Sequence, residues 1–354
     1  LERSAYSAFV GETFGNRYRI EAILGSGRMA GVFRAIDTWT NTLVALKMLD
    51  PVLLSDPELR DELITRFQRE IDTTLTLGHP NIARLLDTGT FEGDKLYLVM
   101  ELLNGYELEA YLGQPVRSTW VSYVAQQVAS ALGEAHHHGI VHRDLKPANV
   151  LLTERYGLKD VAMVVDFGIA RMLETHHEVT NVTKTGATVG TPQYMAPEQA
   201  TSEPISPQTD LYALGCIIYE LLTGKQVFYA DTAWMVAMAH VNEPVPRLEV
   251  PGMPPQELQQ WQALLDELLA KAPDARPASA SAVIKSLRRI TPDVGDAMAR
   301  VRRGEESRPR VSQKTMAGSG GQKRRTKGSK RRMWVAAIAT IAAIGAAVAV
   351  FALK

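Results

Sequence analysis

Between His142 and Asn149 the chain reads HRDLKPAN, and further on Asp166, Phe167 and Gly168 read DFG. One carboxylate (Asp144), one ammonium (Lys146), one carboxamide (Asn149) and a second carboxylate (Asp166) are the parts required for phosphoryl transfer from a metal-bound nucleotide. A γ-phosphoryl group leaving ATP carries charge on its oxygens. A catalyst must neutralise that charge and align an incoming hydroxyl, with little covalent chemistry of its own. Asp144 can accept or orient the proton of that hydroxyl, and Lys146 can set positive charge at the transferring phosphate. Asn149 and Asp166 offer the hard oxygens that Mg²⁺ prefers. His-Arg-Asp alone is more often a solvated charge pair in a loop, so it is the eight-residue string joined to DFG that carries the reading.

These residues need a frame. Tyr18 to Leu24 (YRIEAIL), Val32 to Ile36 (VFRAI) and Leu43 to Leu49 (LVALKML) are apolar, β-branched runs broken by Gly, Asn and Thr, and predict three antiparallel strands. Gly25, Ser26 and Gly27 fall between the first two, where residues without a Cβ let the backbone close over phosphates and donate N–H groups to them. Lys47 sits in an apolar strand, where its charge is costly unless it meets an anion, and nucleotide phosphates provide one. A helix is expected from Asp56 and Pro57 to Gly78, with Leu59, Leu63, Phe67 and Ile71 at helical spacing. Two more strands are expected at 83–91 and 95–101. The remainder reads as mainly helical, at 119–138, 208–223, 232–241, 255–270 and 278–289. The fold class is therefore α+β and bilobal, with a β-rich lobe at 18–101 followed by an α-rich lobe at 104–290, and residues 1–17 as an N-terminal extension.

The 354 residues carry no net charge, yet the stretch from Arg300 to Arg332 holds 13 Lys or Arg against Glu305 and Glu306, a net of +11 within a chain that totals 0. With Gly and Ser interleaved, residues 291–332 read as a flexible basic linker. Met333 to Leu353 is an uncharged Ala, Ile and Val run, long enough to cross a hydrocarbon core of roughly 30 Å. It reads as a transmembrane helix, with the Lys/Arg flank keeping the catalytic region on the cytoplasmic side of the inner (plasma) membrane and the linker cations resting on anionic headgroups. Cys216 is the only cysteine, which excludes an internal disulfide or a CxxC site and fits a reducing compartment. Leu1 to Val10 carries no secretory signal.

Taken together, the motifs resemble those of the eukaryotic-like (Hanks-type) serine/threonine protein kinases of bacteria, the transmembrane receptor-like group, over about Tyr18 to Ile290. The resemblance implies the bilobal kinase fold, ATP with Mg²⁺ (or Mn²⁺) as cofactors, and protein substrates. It adds lipid contact through the membrane helix and the linker, and no nucleic acid. Gly25, Gly27 and Val32 match the kinase loop GxGxxGxV, with Ala30 in place of the third glycine and Gly31 beside it. By the same resemblance Leu24, Gly25, Ser26, Gly27, Val32, Ala45, Lys47, Met100, Glu101, Leu103 and Leu151 would hold the nucleotide. Glu70, shortly before the HPNI turn, would pair with Lys47, in preference to Glu62. Gly190 to Glu198 (GTPQYMAPE) looks like the end of an activation segment, Asp210 like the aspartate of the central large-lobe helix, and Arg276 like the partner of Glu198. Lys146 and Thr191 imply Ser/Thr rather than Tyr specificity.

Control is expected at Arg143, a cation beside Asp144 that suits a phosphate. Among the hydroxyls of VTKTGATVGT, Thr183 and Thr185 occupy the positions that relatives autophosphorylate. Gly345 and Ala349 form a small-xxx-small step of the kind that pairs membrane helices, which brings in a homodimer. The run His136, His137, His138 has no metal-ligand spacing. A pseudokinase scaffold is the alternative; the presence of Lys47, Asp144, Asn149 and Asp166 together favours the enzyme. A small-molecule kinase is disfavoured by GTPQYMAPE.

Overall fold

A computed structural model describes residues 6–26, 30–50, 65, 71, 74–92, 95–113, 116–155, 157–167 and 191–292. The small lobe is a six-stranded sheet, with neighbours β1 (Thr13–Phe14), β2 (Tyr18–Ser26), β3 (Ala30–Asp37), β4 (Thr42–Leu49), β6 (Lys95–Glu101) and β5 (Leu85–Phe91) in that order, every pairing antiparallel. The strand period of two sorts its side chains. On β4, Val44, Leu46 and Met48 enter the lobe's core with Phe14, Tyr18 and Phe33, while Ala45 and Lys47 point the other way, where Ala45 joins Val32 in lining a cleft. The core begins before the first predicted strand. Tyr6 and Phe14 are fully buried, and Phe14 stacks on Phe91 with ring centroids 4.0 Å apart. Residues 6–17 are thus packed with the small lobe.

Past Glu101 the sequence reading expects mostly helix, and the structure adds a three-stranded sheet, β7 (Gly105–Glu107), β8 (Val150–Arg155) and β9 (Leu158–Val164). Only β8 and β9 carry apolar runs, VLL and VAMV. β7 is a Gly-Tyr-Glu step that becomes a strand by pairing with β8. Among the described residues past Glu101 the helices are α1 (Ser118–His137), α2 (Pro197–Ala200), α3 (Pro207–Thr223), α4 (Ala233–Asn242), α5 (Pro255–Leu268) and α6 (Ala280–Ile290). Helix α3 is buried on nearly every side, as its almost unbroken apolar sequence requires. Pro207 opens it, and Gly224, at φ +70°, closes it in the left-handed conformation that glycine adopts without strain. Cys216 lies inside it, where burial pushes the thiol well above its usual range and keeps it protonated.

Between the lobes, Val164 N–H donates to Asn81 O (2.8 Å) and Ala83 N–H to Val164 O (2.9 Å). The buried Asn81 amide donates to Gln127 Oε1 and Ala162 O. Of the helix expected at 56–78, Thr65, Ile71, Thr74 and Leu75 are described as helical, while Thr76 forms a turn and Leu77 and Gly78 lie past the helix end. Thr291, assigned to the linker, is buried and bonds Ser122 and Leu287 O. Among the described residues no helix is long and apolar enough to cross a membrane; the span expected at 333–353 lies outside them.

Candidate active site

The cleft between the lobes encloses about 360 Å³ of space, part of it open to solvent, and its walls are almost wholly apolar. Leu24, Val32, Ala45, Met100, Glu101, Leu103 and Leu151 all line it, together with Ala83, Leu102 and Val165, which the sequence reading did not single out. Each element contributes by its register. Val32 stands across from Gly25 on β2 and from Lys47 on β4, and Ala45 across from Met100, so these strands form the small lobe's wall of the slot, which Leu151 and Val165 line from the large lobe. Glu101 is fastened at the end of β6 by an ion pair to Arg155 and by accepting the Arg84 N–H at 2.9 Å.

Lys47 Nζ lies 2.8 Å from Asp166 Oδ2. The sequence reading gives Lys47 the partner Glu70; that residue, like Gly27, Gly168, Thr183 and Thr185, lies outside the described residues. Burial alone disfavours the Asp166 charge. The charge and hydrogen bond of Lys47, joined by the charge of Lys146, more than offset this and hold the carboxyl below its usual range. Asp166 is therefore an anion at neutral pH. Its second oxygen, Oδ1, is buried without a hydrogen-bond partner among the described residues. A buried, charged, unpartnered oxygen is poorly tolerated unless a cation meets it.

Across from it, Lys146 Nζ donates to Asp144 Oδ2 at 2.7 Å. Asn149 Nδ2 donates to Asp144 O at 2.7 Å and to Asp144 Oδ2 at 3.2 Å. Those bonds fix which way the Asn149 amide faces and leave its oxygen for another partner. The donor set, one carboxylate oxygen and one carboxamide oxygen, suits a hard divalent cation. Asp166 and Asn149 would hold it, and it would neutralise phosphate charge there.

The loop carrying Asp144 is held through its backbone. Buried Asp210, near the start of α3, accepts the N–H of His142 (Oδ2, 2.8 Å) and of Arg143 (Oδ1, 2.9 Å), and His136 Nε2 lies 2.7 Å from Oδ2. His136, from the three-histidine run, thus braces the loop, while His137 and His138 are exposed. Arg143 (φ +67°) and Asp166 (φ +65°) are both left-handed, a conformation costing a non-glycine residue about 1–3 kcal/mol and kept where surrounding bonds over-determine it. Arg143 O also accepts from Gln199 Nε2 at 2.7 Å. His142 is fully buried. Its Nδ1 accepts the Asp144 N–H, which leaves Nε2–H to donate to Val165 O (2.9 Å) beside Asp166. Sequence reasoning gave no role to His142, although its place in HRDLKPAN was the available signal.

Arg276 and Glu198 form a two-pronged ion pair (2.7 and 2.8 Å), both side chains essentially inaccessible to solvent. This pair ties α2, and with it the Thr191 to Ala196 segment, to the large-lobe floor.

An apolar slot ending in a cation-held carboxylate, facing a second carboxylate held by lysine and asparagine, defines a phosphotransferase of the protein kinase architecture. The family described as "Protein kinase domain" matches residues 18–287. The chain is 36% identical over 316 residues to the serine/threonine-protein kinase pkn3 of Myxococcus xanthus, covering 87% of this chain and 55% of that protein. It is 36% identical over 359 residues to the serine/threonine-protein kinase PknA of Mycobacterium tuberculosis, covering 93% and 79% respectively. The chain thus spans about half the length of pkn3 and about four fifths of PknA. The solved kinase domain of Mycobacterium tuberculosis PknI matches at a TM-score of 0.60 and 26% identity, over 80% of this chain and 99% of that one. The chain belongs to the bacterial Hanks-type serine/threonine protein kinases, phosphotransferases that use ATP and divalent metal on protein substrates.

Proposed function

We propose that this chain is a membrane-tethered kinase that moves the γ-phosphoryl of Mg-ATP to Ser or Thr hydroxyls of proteins in a signalling pathway, and that it raises its own activity by phosphorylating Thr183 and Thr185. The observation that carries the catalytic part is the convergence of Lys146 and Asn149 on Asp144 Oδ2, at 2.7 and 3.2 Å, in a loop that His142 fastens to Val165 O, next to Asp166. The adenine ring would fill the slot between Ala45, Val32 and Leu151. Lys47 would hold phosphate oxygens, and Asp144 would take the hydrogen bond of the incoming hydroxyl and receive its proton as the phosphoryl group transfers. Lys146 keeps Asp144 in place and sits where transferring oxygens need positive charge. The purified chain should label a Ser/Thr peptide from γ-labelled ATP far above an Asp144→Asn control. Equal labelling of the two would leave the scaffold reading standing.

The activation part is supported by the sequence VTKTGATVGT and by Arg143 next to the catalytic aspartate. A Thr183→Ala/Thr185→Ala chain should show roughly tenfold lower turnover, the loss of one or two charge-assisted hydrogen bonds; unchanged turnover would sink it. The membrane part is supported by the 333–353 run and its +11 flank, with lipid as a partner and the small-xxx-small step as the route to a homodimer. The full chain expressed in bacteria should stay with the membrane pellet after an alkaline carbonate wash, and its release into the wash would exclude a spanning helix.

A further inference from the structure

Tyr6 lies outside the stretch that the kinase family matches, yet its side chain is fully buried. Its ring occupies the space beside Gly31. A Cβ at position 31 would stand 2.6 Å from two of its ring carbons, closer than real Cβ contacts come. Val32, the next residue, lines the nucleotide cleft, so by strand alternation Tyr6 backs the opposite face of β3. Gly31 is paired across the sheet with Ser26, and Val32 with Gly25 and Lys47. Tyr6 therefore supports the point where both strands run into the glycine-rich loop.

The support is itself anchored. Gly11 N–H donates to Ile20 O (3.0 Å), Ile20 N–H to Glu12 O (2.9 Å), and β1 pairs with the start of β2. The Tyr6 ring meets Phe33 edge-on at 6.0 Å, and Phe9 meets both Phe33 and Phe14 in the same way. This also accounts for the glycine at position 31, one residue past Ala30, which stands where the kinase pattern has its third glycine. Position 31 is the one that Tyr6 leaves no room to fill.

We propose that Tyr6 is a positioning residue for ATP: its ring sets the distance between the base of the glycine-rich loop and the cleft, so that the segment at 6–14 controls nucleotide affinity. The proposal rests on the reading of the cleft as the ATP site. The Tyr6 hydroxyl is buried without a partner among the described residues, so the ring is the part that matters, and Tyr6→Phe keeps it.

The test uses the full chain, with ATP as the probe, and measures KM for ATP, kcat per active site, nucleotide binding and thermal unfolding. Tyr6→Ala should raise KM for ATP roughly tenfold, a size usual for residues in contact, with kcat little changed and Tyr6→Phe behaving as wild type. Gly31→Ala should also raise KM, and Tyr6→Ala/Gly31→Ala should be no worse than Tyr6→Ala alone, because the new methyl enters the space the ring has left. Additive effects in the double variant would overturn the proposal. So would a wild-type KM in both single variants, or activity lost only in step with folded protein at constant KM. A wild-type chain that bound no ATP would overturn the reading of the cleft and this proposal with it, whereas wild-type binding that Tyr6→Ala leaves intact defeats this proposal alone.

Discussion

Arg276→Ala is expected to destabilise the large lobe by about 3–5 kcal/mol, the usual cost of removing one partner from a buried ion pair. The size follows from what is left behind. Glu198 would remain in the interior with the Thr209 hydroxyl (2.7 Å) and its own backbone N–H, but no cation, on a carboxylate that now also takes two guanidinium bonds. Burial by itself disfavours that charge, and the hydrogen bonds from Arg276 and Thr209 are what hold the carboxyl below its usual range. Arg276 does more than pair. Its remaining donors reach Ala270 O (2.8 Å), Gln208 O (3.0 Å) and Lys271 O (2.9 Å), and its guanidinium lies 4.8 Å from the centre of the Tyr212 ring. Replacing both partners with apolar residues, Glu198→Leu with Arg276→Met, removes the stranded charge but takes a donor from three carbonyls and the acceptor of the Thr209 hydroxyl. Urea unfolding should therefore place the double variant between Arg276→Ala and wild type. A double variant as stable as wild type would mean that the carbonyl contacts contribute nothing. Arg276→Lys keeps the charge without the fork and should also fall between the two.

Asp144→Asn is expected to lower kcat by about 10²–10⁴, the range for removing a general base, while KM for ATP changes by less than a few-fold and the folded state persists. The argument turns on one oxygen. Asp144 Oδ2 accepts from both Lys146 and Asn149, so an amide at 144 must turn its oxygen toward those donors. Its NH₂ then faces the position of the incoming hydroxyl and donates where an acceptor is needed. The backbone bonds of the residue, N–H to His142 Nδ1 and O from Asn149 Nδ2, do not depend on the side chain, so the loop keeps its shape. Steady-state kinetics with a thermal melt separate the cases: a fall in kcat matched by a fall in folded fraction would assign Asp144 to structure instead.

What could be read from the chain followed from how local the cause is. Leu24, Val32, Ala45 and Met100 were implied by the kinase resemblance, while the strands that carry them were legible as apolar, β-branched runs; pairing puts Val32, Ala45 and Met100 on one wall, and Leu24 joins them from an irregularity in β2. The long amphipathic or wholly apolar helices were legible for the same reason, period and caps being written within the segment. Tyr6 and Phe14 were not, because a lone aromatic every few residues has no period, and only the tertiary sheet gives those rings a core to enter. β7 is a strand solely by virtue of β8. The Lys47–Asp166 pair joins residues far apart in sequence and depends on how the lobes close; the Glu70 partner that the kinase resemblance implies lies outside the described residues. Asp210 was marked as structural, but its grip on two backbone N–H groups is a fact of packing that side-chain identities do not announce.

The Ile82 to Val164 bridge has a mechanical consequence. The lobes are joined covalently through Glu101 to Leu103 and a second time, without covalent bonds, where residues 81–83 lie along Val164 and Asn81 reaches Gln127. One attachment would let the small lobe swivel freely. Among the described residues these two attachments favour rotation about the line between them, like a door on two pins, a motion that would widen or narrow the mouth of the cleft and stretch or relax the Lys47–Asp166 pair across it.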